Sequence, residues 1–149
     1  MSEHRASLRW RRGEAAFTYE TYTRDHVWRF PGGVEVPASS APEFRGNAAL
    51  VDPEAALVAA LSSCHMLTFL AIAARKRIVI ESYDDDAVGV LEKNADGKLA
   101  VTRVVLRPKV VFGEGASVSK EDLERLHHRS HEECFIANSV KTEVTVEPA

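Results

Sequence analysis

The sequence predicts an α+β fold in one domain over residues 1–149, and three observations predict it. A long apolar stretch at 53–76 carries helix punctuation at both ends. Alternating segments lie on both sides of it. A second helical segment, 119–134, is followed by a further alternating run. The resulting order, β-β-loop-α-β-β-α-β, is that of an α+β architecture.

Residues 6–12 and 15–30 read as strands joined at Gly13, the second setting Phe17, Tyr19 and Thr21 against Thr18, Glu20 and Tyr22. Pro31, Gly32 and Gly33 end it. Residues 34–52 lack periodicity and are rich in Pro, Ser and Gly, so a loop is expected there, with at most a brief strand at 34–36.

The helix that follows has Asp52 as N-cap, Pro53 at its first position and Glu54 at the positive end of its dipole. Leu57, Leu61, Cys64, Thr68 and Ala71 recur at helical spacing, and alanines and leucines surround most of the axis. A helix apolar nearly all round is a buried one. Arg75, Lys76 and Arg77 place cations at its C-terminal end.

Residues 78–92 and 98–112 are expected as two strands around the hairpin signal Asn94-Ala95-Asp96-Gly97. Arg103, Arg107 and Lys109 share one wet face. Ser119 and Asp122 begin a second helix with Leu123, Leu126 and Ser130 on one side, ending near Cys134. The run 138–147 alternates Val140, Thr142, Val144 and Val146 with charged and polar residues, a strand with one buried face.

Composition narrows the function. The 149 residues, 45% hydrophobic, suffice for one domain with a core, and a net charge of −3 argues against a nucleic-acid binder. No uninterrupted apolar run reaches the ~20 residues of a membrane helix. Residues 55–74 come nearest but hold Ser62, Ser63, Cys64, His65 and Thr68 in their middle, so no membrane association is expected. The N-terminus carries charges with no apolar run behind them, which predicts no secretory signal and a cytoplasmic protein.

Two cysteines in a reducing compartment are buried bystanders, metal ligands or redox groups. Cys64 sits in the most apolar helix, where a thiol packs as a small hydrophobe and stays inert unless a cation or donor reaches it. Cys134 lies at the foot of the second helix, and a partner thiol there is what a redox-active cysteine needs. His127 and His131 have the i, i+4 spacing of metal ligands, with Cys134 three positions further on. No C-x-x-C or H-E-x-x-H pattern accompanies them, so these histidines read as a solvated face. Arg24, Asp25 and His26 interrupt a strand, and Arg45 stands in a loop beside Gly46. Each is either surface charge or a group that reaches Cys64.

The string DPEAALVAALSSCHMLTFL, residues 52–70, resembles the central helix of the OsmC/Ohr family, where a cysteine follows an Asn/Asp-Pro-Glu opening ten residues after the glutamate; Glu54 and Cys64 match that interval. CFIANSVKTEVTVE, residues 134–147, is similar to the family's second cysteine, turn and last strand. His65 after Cys64 and Phe135 after Cys134 replace the aromatic and proline usual in Ohr-type members, which points to an OsmC-like subgroup.

The resemblance implies antiparallel sheets around a long buried central helix in an intertwined homodimer. It implies a thiol peroxidase of oxidative stress defence, acting on organic hydroperoxides and hydrogen peroxide with no cofactor or metal. An external thiol or dithiol, such as a lipoylated protein, would reset it. By the same resemblance Cys64 is the peroxidatic cysteine, Cys134 the resolving one, and Glu54 the partner of an arginine, Arg24 or Arg45. Ten residues of helix span ~15 Å, so Glu54 reaches Cys64 through an arginine, from another subunit, or across a broken helix. The alternative is a fold-mate that binds a metal or a small ligand without turning over peroxide.

Overall fold

Three short strands open the chain: β1 (Ser7–Arg9), β2 (His26–Arg29) and β3 (Glu35–Ala38), paired antiparallel in that order with Leu8 opposite Trp28 and Trp28 opposite Val36. The computed structural model describes all of residues 1–149, which fall into two compact units, 1–56 and 57–149.

The strand expected at 15–30 is confined to its last residues, because the preceding segment folds back on itself. Tyr22 N donates to Thr18 O at 3.0 Å and the Thr21 hydroxyl donates to Ala16 O at 2.5 Å. Threonine side chains that bond to nearby backbone compete in this way with a sheet ladder. Phe17 and Tyr22 then pack against Trp10 at ring separations of 5.9 and 6.4 Å. The expected strand 6–12 likewise shrinks to three residues. Gly32 and Gly33, with φ of 86° and 84°, close the β2–β3 turn. A single 3-10 turn, Pro42–Phe44, precedes the first helix.

That helix, α1 (Pro53–Arg75), starts as its sequence dictates: Asp52 Oδ1 accepts from Ala55 N at 2.8 Å. It ends where Arg77 turns left-handed (φ 59°) and Ile78 N returns to Ala73 O at 2.9 Å. By length and composition alone α1 is long and apolar enough to cross a bilayer. In this fold its buried stripe is Leu61, His65, Phe69 and Ile72, one position removed from the stripe expected through Cys64, Thr68 and Ala71. Ala73 is buried as well and Cys64 half-buried, whereas Leu67 remains 60% exposed.

The two strands expected at 78–92 and 98–112 are each broken in two, giving β4 (Ile80–Asp85), β5 (Val88–Lys93), β6 (Leu99–Leu106) and β7 (Pro108–Phe112). Asn94–Gly97 forms the expected hairpin, Asn94 Oδ1 accepting from Asp96 N and Lys98 N at 3.0 Å, so β5 pairs with β6 and β4 with β7, all antiparallel. The break between β6 and β7 has a local cause. Asp85 Oδ1 accepts from Arg107 N at 2.6 Å, and the next residue, Pro108, has no N–H to give.

The second helix, α2 (Lys120–Glu133), is capped by Ser119, whose Oγ accepts from Asp122 N at 3.1 Å. The last strand, β8 (Glu143–Val146), is shorter than the 138–147 expected, because Ala137–Ser139 forms a 3-10 turn; it lies parallel to β6. In the second unit α1 packs on two apolar centres. Leu61 meets Val104 and Leu106 of β6, and Phe69 and Ile72 meet Leu126 of α2. The α+β class and the mainly antiparallel sheets are as expected, with β6–β8 as the parallel exception.

Candidate functional site

The packing of α1 against α2 brings two thiols together. Cys64 is half-buried on α1, and Cys134, 1% exposed, caps the C-terminus of α2 with its own N–H on His131 O at 3.3 Å. The Cys64 thiol lies close enough to Cys134 to make its ionisation harder. Burial is the main cause that pushes the Cys134 thiol up to about 11, and Cys64 adds to it. The amides of Ala137 and Ile136 pull the other way, the first at 3.5 Å from Sγ. Both cysteines are free thiols.

A second pair lies beside them. His65 follows Cys64, and His127 precedes Cys134 by two helical turns, which sets it on the same face of α2. His65 Nε2 and His127 Nδ1 are 3.1 Å apart in a buried hydrogen bond, the rings stacked at 5.4 Å and 13°. His127 also stacks on Phe69 at 4.6 Å, and Tyr83 of β4 stands edge-on to Phe69 at 5.5 Å.

Burial, before all else, lowers both imidazoles to about 4. For His65 the charges of His127 and His131 add to the lowering, whereas Asp85 partly opposes it for His127. Burial and then Asp85 raise Tyr83 above the ordinary phenol value. His65 Nδ1, His127 Nε2, His131 Nδ1 and Tyr83 Oη have no hydrogen-bond partner in the protein.

His127 is therefore not part of a solvated face as the sequence suggested. It is 3% exposed because α2 turns Leu126, His127 and Ser130 inward together. No three His, Cys, Asp or Glu side chains converge as metal ligands would, so His127, His131 and Cys134 do not form the three-ligand group their spacing offered.

The other expected site residues lie in the first unit. Arg24 donates to Tyr22 O at 2.6 Å and Tyr19 O at 2.7 Å, with its guanidinium 3.7 Å over the Tyr22 ring. Arg45, left-handed at φ 63°, faces the Tyr19 ring at 5.6 Å. Arg24 thus gives these donors to backbone carbonyls and rests on tyrosine. Glu54 is half-buried in the first turn of α1, and the helix runs unbroken to Arg75, which removes the broken-helix option. Trp10, Phe17, Tyr22, Arg24 and His26 line an apolar cavity within this unit.

His65, Tyr83 and Asp85 were not singled out for a role by the sequence. The one available signal was register: the residue after the first cysteine and a histidine two turns before the second.

Residues 46–149 match the family model of OsmC-like proteins. No curated protein matches the chain. Among solved structures, an OsmC-like protein of unknown function from Vibrio cholerae is 52% identical over the whole of both chains, with a TM-score of 0.96. An organic hydroperoxide resistance protein from Legionella pneumophila is 16% identical over 99% of this chain and 96% of its own, with a TM-score of 0.72. That of Bacillus subtilis is 17% identical over 99% and 98%, with a TM-score of 0.70. The last two are alike in fold.

Proposed function

The chain belongs to the OsmC-like protein family, and we propose that it acts there as a cysteine-based thiol peroxidase for organic hydroperoxides and hydrogen peroxide. The proximity of the Cys64 thiol to that of Cys134, felt in the harder ionisation of Cys134, carries this reading. The hydroperoxide resistance named for the Legionella and Bacillus proteins agrees with it.

Cys64 is the more accessible of the two sulfurs and takes the first step. Its thiolate attacks the distal oxygen of ROOH; the O–O bond breaks, Cys64 becomes a sulfenic acid, and RO⁻ leaves and gains a proton from water. The Cys134 sulfur then displaces hydroxide from the sulfenic acid, forming the disulfide and, with its own proton, water. Cys134 is held protonated by its burial, so the amides of Ala137 and Ile136 supply the donors that ease its ionisation in this step. An external dithiol reduces the disulfide by exchange and leaves as its own disulfide.

Glu54, with Arg24 or Arg45, keeps in this reading the role the family resemblance gives it: the carboxylate orients a guanidinium, and an opposite charge within ~4–6 Å favours a thiolate. A homodimer fits the apolar side of α1 left uncovered by one chain, Leu67 foremost. The cell compartment proposed is the cytoplasm, and the reductant a thiol or dithiol such as a lipoylated protein.

The test is turnover of cumene hydroperoxide and hydrogen peroxide with a dithiol, alongside a count of free thiols before and after one equivalent of peroxide. Loss of both thiols to one intramolecular disulfide supports the reading; two thiols that persist refute it.

A further inference from the structure

We propose that His65 and His127 are positioning residues: their hydrogen bond is a latch between α1 and α2 that holds Cys64 and Cys134 in bonding register. The inference rests on the thiol–disulfide reading of those two cysteines.

A disulfide is demanding in geometry, with Cβ atoms about 3.5–4.5 Å apart. Cys64 and Cys134 come from different helices, so the rotation of α1 and the axial position of α2 both enter that distance. The apolar contacts of Phe69 and Ile72 with Leu126 hold the helices together, yet apolar contacts are non-directional and permit sliding. The bond from His65 Nε2 to His127 Nδ1, 3.1 Å and buried, is directional. It ties the residue next to one cysteine to a residue on the same α2 face as the other.

The pair is a poor choice for stability alone. Two imidazoles are stripped of water, at 1% and 3% exposure, for a single bond between them, and His65 Nδ1 and His127 Nε2 remain without protein partners. A buried polar atom without a partner costs about 1–3 kcal/mol. Two apolar rings of the same size would pack between α1 and α2 without that cost. What they would lack is direction. The stack of His127 on Phe69 at 4.6 Å fixes the ring plane, so the Nδ1 that meets His65 is held in place from a second side.

The latch acts on the dithiol. It limits the arrangements open to the two sulfurs before they bond, so less order remains to be imposed when the disulfide forms. Closing it joins the sulfurs with loss of two electrons and two protons to the oxidant, here oxidised dithiothreitol, which becomes the dithiol.

The test is a redox titration of the full chain against mixtures of reduced and oxidised dithiothreitol, with free thiols trapped by a maleimide and counted by mass. His127→Asn keeps a polar atom near the Nδ1 position. His127→Gln carries the same amide one carbon further, near the Nε2 position, which meets no partner. His127→Phe keeps the stack and has no donor or acceptor. The Phe and Gln variants are expected to need a roughly three- to tenfold higher ratio of oxidised to reduced reagent for half closure, the range a single net hydrogen bond supports. The Asn variant is expected to stay near wild type.

A general packing role would lower the melting temperature of all three and leave the redox midpoint unmoved, and that result overturns the latch. If His127→Phe does not fold, the Asn–Gln comparison decides, and equal midpoints for those two overturn it. A wild-type chain that forms no disulfide at any ratio sinks instead the reading of Cys64 and Cys134 on which the latch rests.

Discussion

Ser62 donates its hydroxyl to Asp85 Oδ2 at 2.5 Å, and the other oxygen of that carboxylate takes the Arg107 amide at 2.6 Å. One side chain at the end of β4 thus fastens α1, two residues before Cys64, to the break between β6 and β7. Asp85→Ala removes both bonds and is expected to lower the unfolding free energy by ~2–3 kcal/mol, against ~1 kcal/mol for Ser62→Ala. Urea denaturation measures this, with a lower midpoint at unchanged slope. A midpoint for Asp85→Ala no lower than that of Ser62→Ala would show that the Arg107 bond contributes nothing.

The two cysteines have different fates when substituted. Cys64→Ser is expected to abolish peroxide turnover with any dithiol. Cys134→Ser retains the first step but leaves the sulfenic acid without a partner, so multiple turnover fails and Cys64 advances to the sulfinic and sulfonic forms. Mass spectrometry after graded peroxide reads this as gains of two and three oxygens on the Cys64 peptide. Full steady-state activity in Cys64→Ser refutes its role.

Acid should loosen the α1–α2 contact through the same two histidines. Burial lowers both to about 4 in the folded chain, from about 6.5 when unfolded. Between those values the unfolded chain binds more protons, so stability rises with pH there. The contribution is complete above pH 6.5 and is lost as pH falls toward 4. The loss is on the order of 3 kcal/mol for one ring and less than twice that for the pair, since His127 is part of what lowers His65. Denaturation midpoints of wild type and a His65→Phe, His127→Phe double variant, taken from pH 7.5 to 4.5, isolate the effect from carboxylate titration. Parallel curves would mean the imidazoles are not held neutral by the fold.

Local signals were legible in the sequence and long-range ones were not. Asp52, Pro53 and Glu54 announced α1 because a cap is settled within four residues, and Asn94–Gly97 announced the β5–β6 turn for the same reason. The strand is shorter than the alternation over 15–30 predicts because Thr18 and Thr21 satisfy their backbone locally, an option that alternation of side chains does not reveal. The parallel pairing of β8 with β6 joins segments some forty positions apart and leaves no mark in either one. At the site, the resemblance to a family supplied the roles proposed for Cys64 and Cys134. His65 and His127, 62 positions apart, were seen as separate histidines because only the packing of two helices makes them a pair.

Alkylation should distinguish the two thiols without peroxide. Cys134 is 1% exposed and pushed up to about 11, so at pH 8 its thiolate fraction is on the order of one in a thousand. The thiolate is the nucleophile toward iodoacetamide, and access matters as well. Cys64, half-buried, is therefore expected to be labelled first in the native chain, with Cys134 following at a comparable rate only in denaturant. Cys64→Ser removes the neighbouring thiol that adds to the rise but leaves the larger cause, burial, in place. In that variant Cys134 should react somewhat faster than in wild type and still far more slowly than in denaturant. Equal native rates for Cys64 and Cys134 would show that the foot of α2 opens to solvent, and the assignment of Cys134 as the protected, second-acting sulfur would have to be given up.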